Sequence, residues 1–387
     1  MSAIRRVLIV GAGIAGQTLA LALARRGVAC EIVEVKRDFD ILGAGMYVQG
    51  NALRAFLDIG IVAAIVGAGW WRADDAWQMT DAEGGLLARA VTPRLAGADI
   101  PSTVTIRRQA LHDILHAAVI RAAIPLRMGT TVTALAEAPD GSAVEARFSD
   151  GSAGRYDLVA GCDGIRSTVR DLVFGRTEPQ FSGFANWRVI LERPPGIDMI
   201  TWMQGDGTTF GIVPIAADYL YIAGVSKEPG NPRYERRDLP ALLHRKFAEY
   251  GGPARSLLAA VRRPEQIVYT PIDEVIQPAP WHRGRVVILG DAAHASTPFW
   301  AQGASMAVED AVLLAALIGS FRPAEQILPE WMARRHRRCL FVQHGSRETG
   351  EKSHREGRAA VERMQDSMRR HLQATVDARY AGLAEPI

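Results

Sequence analysis

Residues 7–10 are all apolar, follow a pair of arginines and stop at Gly11, and residues 14–26 then repeat apolar positions at helical spacing. A second short apolar run at 29–33 leads into Glu34, so residues 5–34 predict strand, helix and strand, the front of a βαβ unit. Three short β-type runs, 131–135, 143–148 and 155–159, are separated by Pro139-Asp140-Gly141 and Ser149-Asp150-Gly151, turn signals that predict a small antiparallel meander. Residues 185–226 read as further strands, with turns at 205–207 and 216–218 and with Trp187, Trp202, Phe210, Tyr219 and Tyr221 on them. The βα character returns at 286–289, an apolar run ending in Gly290-Asp291. Helical periodicity follows from 303 to 320, and the polar, arginine-rich stretch 329–381 predicts terminal helices. The fold class this implies is α/β with α+β elements, in which the β-rich region 181–268 interrupts a Rossmann-like unit.

Composition narrows the class without naming a function. With 48% hydrophobic and 22% charged residues the chain is an ordinary globular protein with a sizeable core, and a net charge of +3 argues against a nucleic-acid surface. The basic run at 334–338 is read as a solvated helix face. Cys30, Cys162 and Cys339 are too far apart for a zinc pattern or a disulfide framework, which fits a reducing cytoplasm. No stretch is long and uninterrupted enough to span a bilayer; the nearest, 7–24, resembles a twin-arginine signal but contains three glycines. Repeats and low-complexity tracts are lacking.

The chemistry lies in three turns. Gly11-Ala12-Gly13-Ile14-Ala15-Gly16 stands between a strand and a helix, the context in which GxGxxG binds a dinucleotide: a tight turn at Gly11, a close approach to pyrophosphate at Gly13, and helix packing at Gly16. Eighteen residues past Gly16, Glu34 is placed to accept from both ribose hydroxyls, which suits FAD or NAD and repels a 2′-phosphate. The second turn, Cys162-Asp163-Gly164-Ile165-Arg166-Ser167, has two readings, a ligand turn or a helix capped by Asp163 or Ser167. The third is Gly290-Asp291-Ala292-Ala293-His294, running through Pro298 to Gln302-Gly303-Ala304.

In this order and at these separations the three turns resemble those of the FAD-dependent aromatic hydroxylases, the single-component flavoprotein monooxygenases related to p-hydroxybenzoate hydroxylase, from about residue 5 to 345. The resemblance implies FAD at Gly11, Gly13, Ala15, Gly16 and Glu34, an Asp-Gly pair at Asp163-Gly164, and a ribityl-binding carboxylate at Asp291 beside Gly290. It implies a flavin-contacting arginine at Arg108, a flavin loop at 43–45 that includes Gly45, and a flavin-facing helix start at Pro298, Gln302, Gly303 and Ala304. That helix end is positive, where the reduced ring is negative. Two positions depart from the family pattern: Cys162 where alanine is usual and Ala301 where glycine is frequent.

The implied domains are an FAD-binding unit in three parts, 1–72, 101–180 and 269–328, a substrate region at 73–100 and 181–268, and C-terminal helices at 329–387. The implied reaction takes electrons from NADH or NADPH and uses O₂, through a flavin hydroperoxide, to hydroxylate a small aromatic or N-heterocyclic substrate in a monomer or homodimer. No second glycine fingerprint marks a nicotinamide site. Trp187, Trp202, Phe210, Phe299 and Trp300 are candidates for the apolar substrate wall, with core packing as the other reading. Tyr221 and His294 are candidates to take or relay a ring proton, with Pro298 at the flavin side and Arg188 to pair with a carboxylate. For His294 a packed turn residue is the competing reading. Three rivals remain: a flavin reductase, a halogenase, whose Trp-x-Trp-x-Ile-Pro pattern residues 185–190 do not match, and an NAD-binding dehydrogenase or regulator, which leaves Asp163 and Asp291 without a role.

Overall fold

The structure, a computed structural model, describes residues 3–39 and 45–387. Of the expected flavin loop, Gly43 and Ala44 lie outside the described residues.

Strand Arg6–Val10 is central because its apolar run suits a strand covered on both faces. It pairs in parallel with Ala29–Glu34 on one side and Leu158–Gly161 on the other. Leu126–Met128 and Val286–Ile288 extend the parallel sheet outward, and His282–Arg283 closes one edge antiparallel. Helix Ile14–Ala24 packs against helix Gly303–Ile318, both built largely of alanine and leucine and buried along most of their length. Since the parallel strands point one way, their carboxyl ends bring Gly11, Glu34, Cys162 and Gly290 to a single edge, where ligands of open α/β sheets bind. The apolar stretch at 7–24 is thereby core, and among the described residues no helix is long and apolar enough to cross a membrane.

The run expected as one strand at 155–159 is two. Ala153–Tyr156 joins the antiparallel meander with Val144–Phe148 and Val132–Glu137, while Leu158–Gly161 enters the parallel sheet. Asp157 makes the switch, its carboxylate accepting from the backbone N–H groups of Arg5 and Arg6 at 2.8 and 2.9 Å.

A second sheet of seven strands runs in the order Ile267–Glu274, Gln180–Glu192, Tyr219–Lys227, Thr208–Pro214, Thr201–Gln204, Ala76–Asp81, Leu86–Val91. All neighbours are antiparallel except Thr201–Gln204 with Ala76–Asp81. The strand-only reading of this region missed two helices, Leu239–Lys246 and Gly252–Ala259, whose Leu243, Leu257 and neighbouring Phe247 and Tyr250 cover one face of the sheet. The expected terminal helices are Ala324–Ser353 and Arg358–Ala384.

The basic run at 334–338 is not a uniformly solvated face. Arg334 and Arg337 are exposed, whereas Arg335 and Arg338 point inward onto Glu309 and Asp310 of helix Gly303–Ile318. Their spacing of three places both on one side of the helix.

Candidate active site

The three glycines of the first turn do different things. Gly11 has φ +104, and a Cβ there would stand 2.4 Å from the Cys162 carbonyl oxygen; one on Gly16 would stand 1.9 Å from the Gly11 oxygen. Only Gly13 faces open space, with nothing within 4 Å of a Cβ position. Glu34 closes the turn, its carboxylate accepting from the N–H groups of Ala12 at 2.8 Å and Lys36 at 3.0 Å. In the second turn the capping reading describes the geometry: Asp163 accepts from the Ser167 hydroxyl and from the Val169 N–H at 3.0 Å. Ser167 caps helix Thr168–Phe174 by accepting from Arg170 N–H at 3.0 Å. Burial pushes the Asp163 carboxyl upward against those bonds.

At the third turn Gly290, at φ +61, donates its N–H to Asp310 at 3.0 Å. The next residue, Asp291, is exposed and its carboxylate has no hydrogen-bond partner among the described residues. His294 turns the other way. Its Nε2 lies 2.6 Å from Asp310 Oδ2, and the other Asp310 oxygen accepts from Arg335 Nε at 2.6 Å. Burial opposes charge on both groups, but Cys339 and Asp310 hold the imidazole well above its usual range, and His294 and Arg335 hold the Asp310 carboxyl well below its own. The His294 imidazole is thus committed to this buried ion pair and lies outside the cavity wall, the packed reading of the two.

Ala301 adopts the left-handed region at φ 50, as the glycine frequent at that place in the family pattern would do without strain. Its carbonyl and that of Trp300 accept from Gln49 Nε2 at 3.0 and 2.7 Å. The Gln302 side chain is bonded to Gln49 at 2.7 Å and to Asn51 at 3.1 Å, so it braces the turn from behind.

One cavity of about 1480 Å³ joins the two sheets. On the nucleotide side Gly13, Ala15, Gly164, Asp291, Gly303 and Ala304 line it, with Arg108 and Gly45 further along. Pro298, Phe299 and Trp300 form its turn, and Arg188, Trp202 and Tyr221 its sheet-side wall. Gly11, Gly16, Glu34, Asp163, Gly290 and Gln302 stand outside that lining.

Strand alternation sorts the aromatics. Trp187 and Phe210 are fully buried on the helix-covered face, where Trp187 Nε1 donates to Ser226 at 2.8 Å; their place is the core, not the substrate wall. Their neighbours Arg188 and Thr209 face the cavity. Arg188 donates to Thr270 at 3.4 Å and has no carboxylate within pairing distance among the described residues. Burial lowers its pKa, while burial raises that of Tyr221, which stays a neutral phenol beside it. A Cβ on Gly45 would stand 2.1 Å from the Tyr221 ring, so glycine there lets the two sheets meet.

Sequence reasoning missed two contributors. Tyr47 lines the cavity with a buried hydroxyl held next to Trp202. The last helix adds a whole wall. Tyr47 carried a faint signal, two positions after the glycine of the flavin loop; the helix carried none, because nothing in its own pattern says what it faces.

These residues fit FAD. Gly13 leaves a cradle that a Cβ would fill, the helices at Ile14 and Gly303 have no acidic residue in the first turn and no side-chain cap, and the Asp291 carboxylate is unpaired between them. Fold and site together define a flavoprotein of the FAD-dependent aromatic hydroxylase class. The sequence pattern described as the FAD binding domain matches residues 5–342, and the chain belongs to that family and is an FAD-dependent monooxygenase. It is 31% identical over 375 residues, 96% of each chain, to an aurachin C monooxygenase/isomerase of Stigmatella aurantiaca. It is 30% identical over 352 residues to a 2-heptyl-3-hydroxy-4(1H)-quinolone synthase of Pseudomonas aeruginosa, covering 88% of this chain and 87% of that one. Among solved structures, Klebsiella pneumoniae HpxO complexed with FAD and uric acid superposes with a TM-score of 0.86 at 25% identity, over 98% of this chain and 97% of that one.

Proposed function

We propose that this enzyme takes electrons from NADH or NADPH and hydroxylates an acidic aromatic or N-heterocyclic ring held between the Pro298–Trp300 turn and the Arg188–Tyr221 wall. The observation that carries this reading is the single cavity running from Gly13 and Asp291 to Arg188 and Tyr221. Relatives named for urate and 6-hydroxynicotinate act on N-heterocycles with acidic protons, which agrees with a cationic, phenol-lined wall.

Gly13 and the start of helix Ile14–Ala24 would hold the FAD pyrophosphate, Asp291 the ribityl hydroxyls, and the start of helix Gly303–Ile318 the electron-rich edge of the ring. Bound FAD supplies the oxygen-activating redox chemistry. The protein's own share is position and dryness. Arg188 pairs with the anionic form of the substrate and so favours the electron-rich ring; Tyr221, kept neutral, offers a hydrogen bond to the same oxygen or nitrogen. Since His294 is locked to Asp310, that imidazole takes no part in moving the ring proton. Phe299, Trp300 and Trp202 exclude water from the place where oxygen is transferred.

The test is oxidation of NADH and NADPH by the FAD-loaded protein with phenolic and N-heterocyclic compounds, scoring peroxide beside product. One compound that accelerates oxidation and gains an oxygen with little peroxide is expected; oxidation that never yields an oxygenated product overturns the reading. In the Asp291→Ala variant bound flavin should be lost, and a full complement would remove that residue from the site. Arg188→Met should raise KM for an anionic substrate at least about tenfold with little change for a neutral analogue, the effect of removing one partner of a desolvated pair.

A further inference from the structure

Helix Arg358–Ala384 changes what its apolar face meets part way along. In its last turns Val376, Tyr380 and Leu383 are buried in the main core. Followed back at a spacing of four, the same face presents Leu372, Met368, Met364 and Ala360, which are only half-buried and line the cavity. Polar neighbours on the opposite side, Glu362, Arg369 and Arg370, are exposed. The face is thus packed on protein from Leu372, which also touches the main core, to Leu383, and borders the cavity over the turns before it.

Trp77 of the seven-stranded sheet and Phe341 of helix Ala324–Ser353, itself 40% exposed, add further apolar wall to that region. Lys352 and Arg355 are also at its lining but are exposed, as expected of charges at a mouth. The stripe is continuous with the space beside Pro298 and Gly303, so an occupant can be attached to the ring that receives oxygen. A bare ring beside Pro298 leaves the stripe uncovered. Unbranched methionines suit a flexible aliphatic ligand.

We propose that Ala360, Met364, Met368 and Leu372 seat an aliphatic chain of several carbons carried by the substrate, so that the enzyme takes chain-bearing aromatic or N-heterocyclic compounds rather than bare ring acids. This rests on the hydroxylase reading for the ring end and on the helix stripe alone for the chain end.

The experiment uses the full FAD-loaded chain with two series, 4-hydroxyquinolines bearing linear 2-alkyl chains and 4-alkylphenols, each from methyl to nonyl. Binding is read from flavin fluorescence, with NADH oxidation and product followed in parallel. In at least one series each added methylene should tighten binding by up to about fourfold until the stripe is covered. A Met364→Glu/Met368→Glu double variant should flatten that dependence while retaining its FAD. Binding that ignores chain length in both series, or that is absent from both, or a dependence undiminished in the double variant, overturns the proposal. Chain-dependent binding without oxygenated product leaves the chain seat standing and sinks the hydroxylase reading; product from short-chain members without chain dependence does the reverse.

Discussion

His294 shows how little a residue's local sequence says about its charge partner. It stands three residues after Asp291, yet its imidazole faces Asp310 on another helix. The pair has a definite pH signature. Because the folded His294 pKa lies above its usual value, its contribution to stability is fully present below about pH 6.5 and is lost as pH rises through the raised value. Asp310 is depressed, so its contribution is present above about pH 3.9 and is lost as pH falls through the lowered value. Breaking such a buried pair removes about 3–5 kcal/mol. Urea unfolding of His294→Gln should show that loss in full at pH 6 and a shrinking gap from wild type at higher pH; a gap independent of pH would mean the imidazole is neutral.

At the scale of elements, one glycine turn holds two separable functions. Gly16 has the backbone of Gly11 against it, so Gly16→Ala should destabilise the FAD-free protein by about 1–3 kcal/mol or more through overpacking. Gly13 has an ordinary φ of −74 and open space ahead, so Gly13→Ala should leave FAD-free stability unchanged or raised by about 0.4–1 kcal/mol. FAD affinity should nonetheless fall at least about tenfold, because the methyl fills the anion cradle. Thermal unfolding with and without FAD separates the two; equal loss in both states for Gly13→Ala would remove the cradle from the site. Strand alternation acts at the same scale: once the register of Gln180–Glu192 is set, Trp187 must enter the core and Arg188 the cavity.

The whole molecule decides how the cavity is closed. The end of the last helix is fastened by Arg54, which donates to the carbonyl oxygens of Ala384 at 2.7 Å and Glu385 at 2.8 Å, and by Arg338, which donates to Leu383 at 2.8 Å and is itself paired with Glu309. Arg54→Ala should loosen that closure by about 1.5–3 kcal/mol, the worth of hydrogen bonds to a charged group. Water entry should then divert turnover, raising peroxide formed per NADH at least about twofold with FAD still bound. Unchanged coupling would mean that the helix does not seal the reaction space.

From the chain alone the parallel core, the glycine turn, the Gly290-Asp291 turn and the terminal helices were legible, because periodicity and backbone constraints at glycine act over a few neighbouring residues. The flavin-binding class was legible for the same reason: its turns are local and ordered along the chain. Tertiary structure alone decided that Ser167 caps a helix with Asp163 bonded to it, that Arg335 and Arg338 are buried ion-pair partners, and that Trp187 and Phe210 belong to the core. It also decided that Tyr47 and the stripe from Ala360 to Leu372 belong to the cavity. Each of these depends on which distant element covers a face or neutralises a charge, and burial is a property of the packed pair rather than of either sequence.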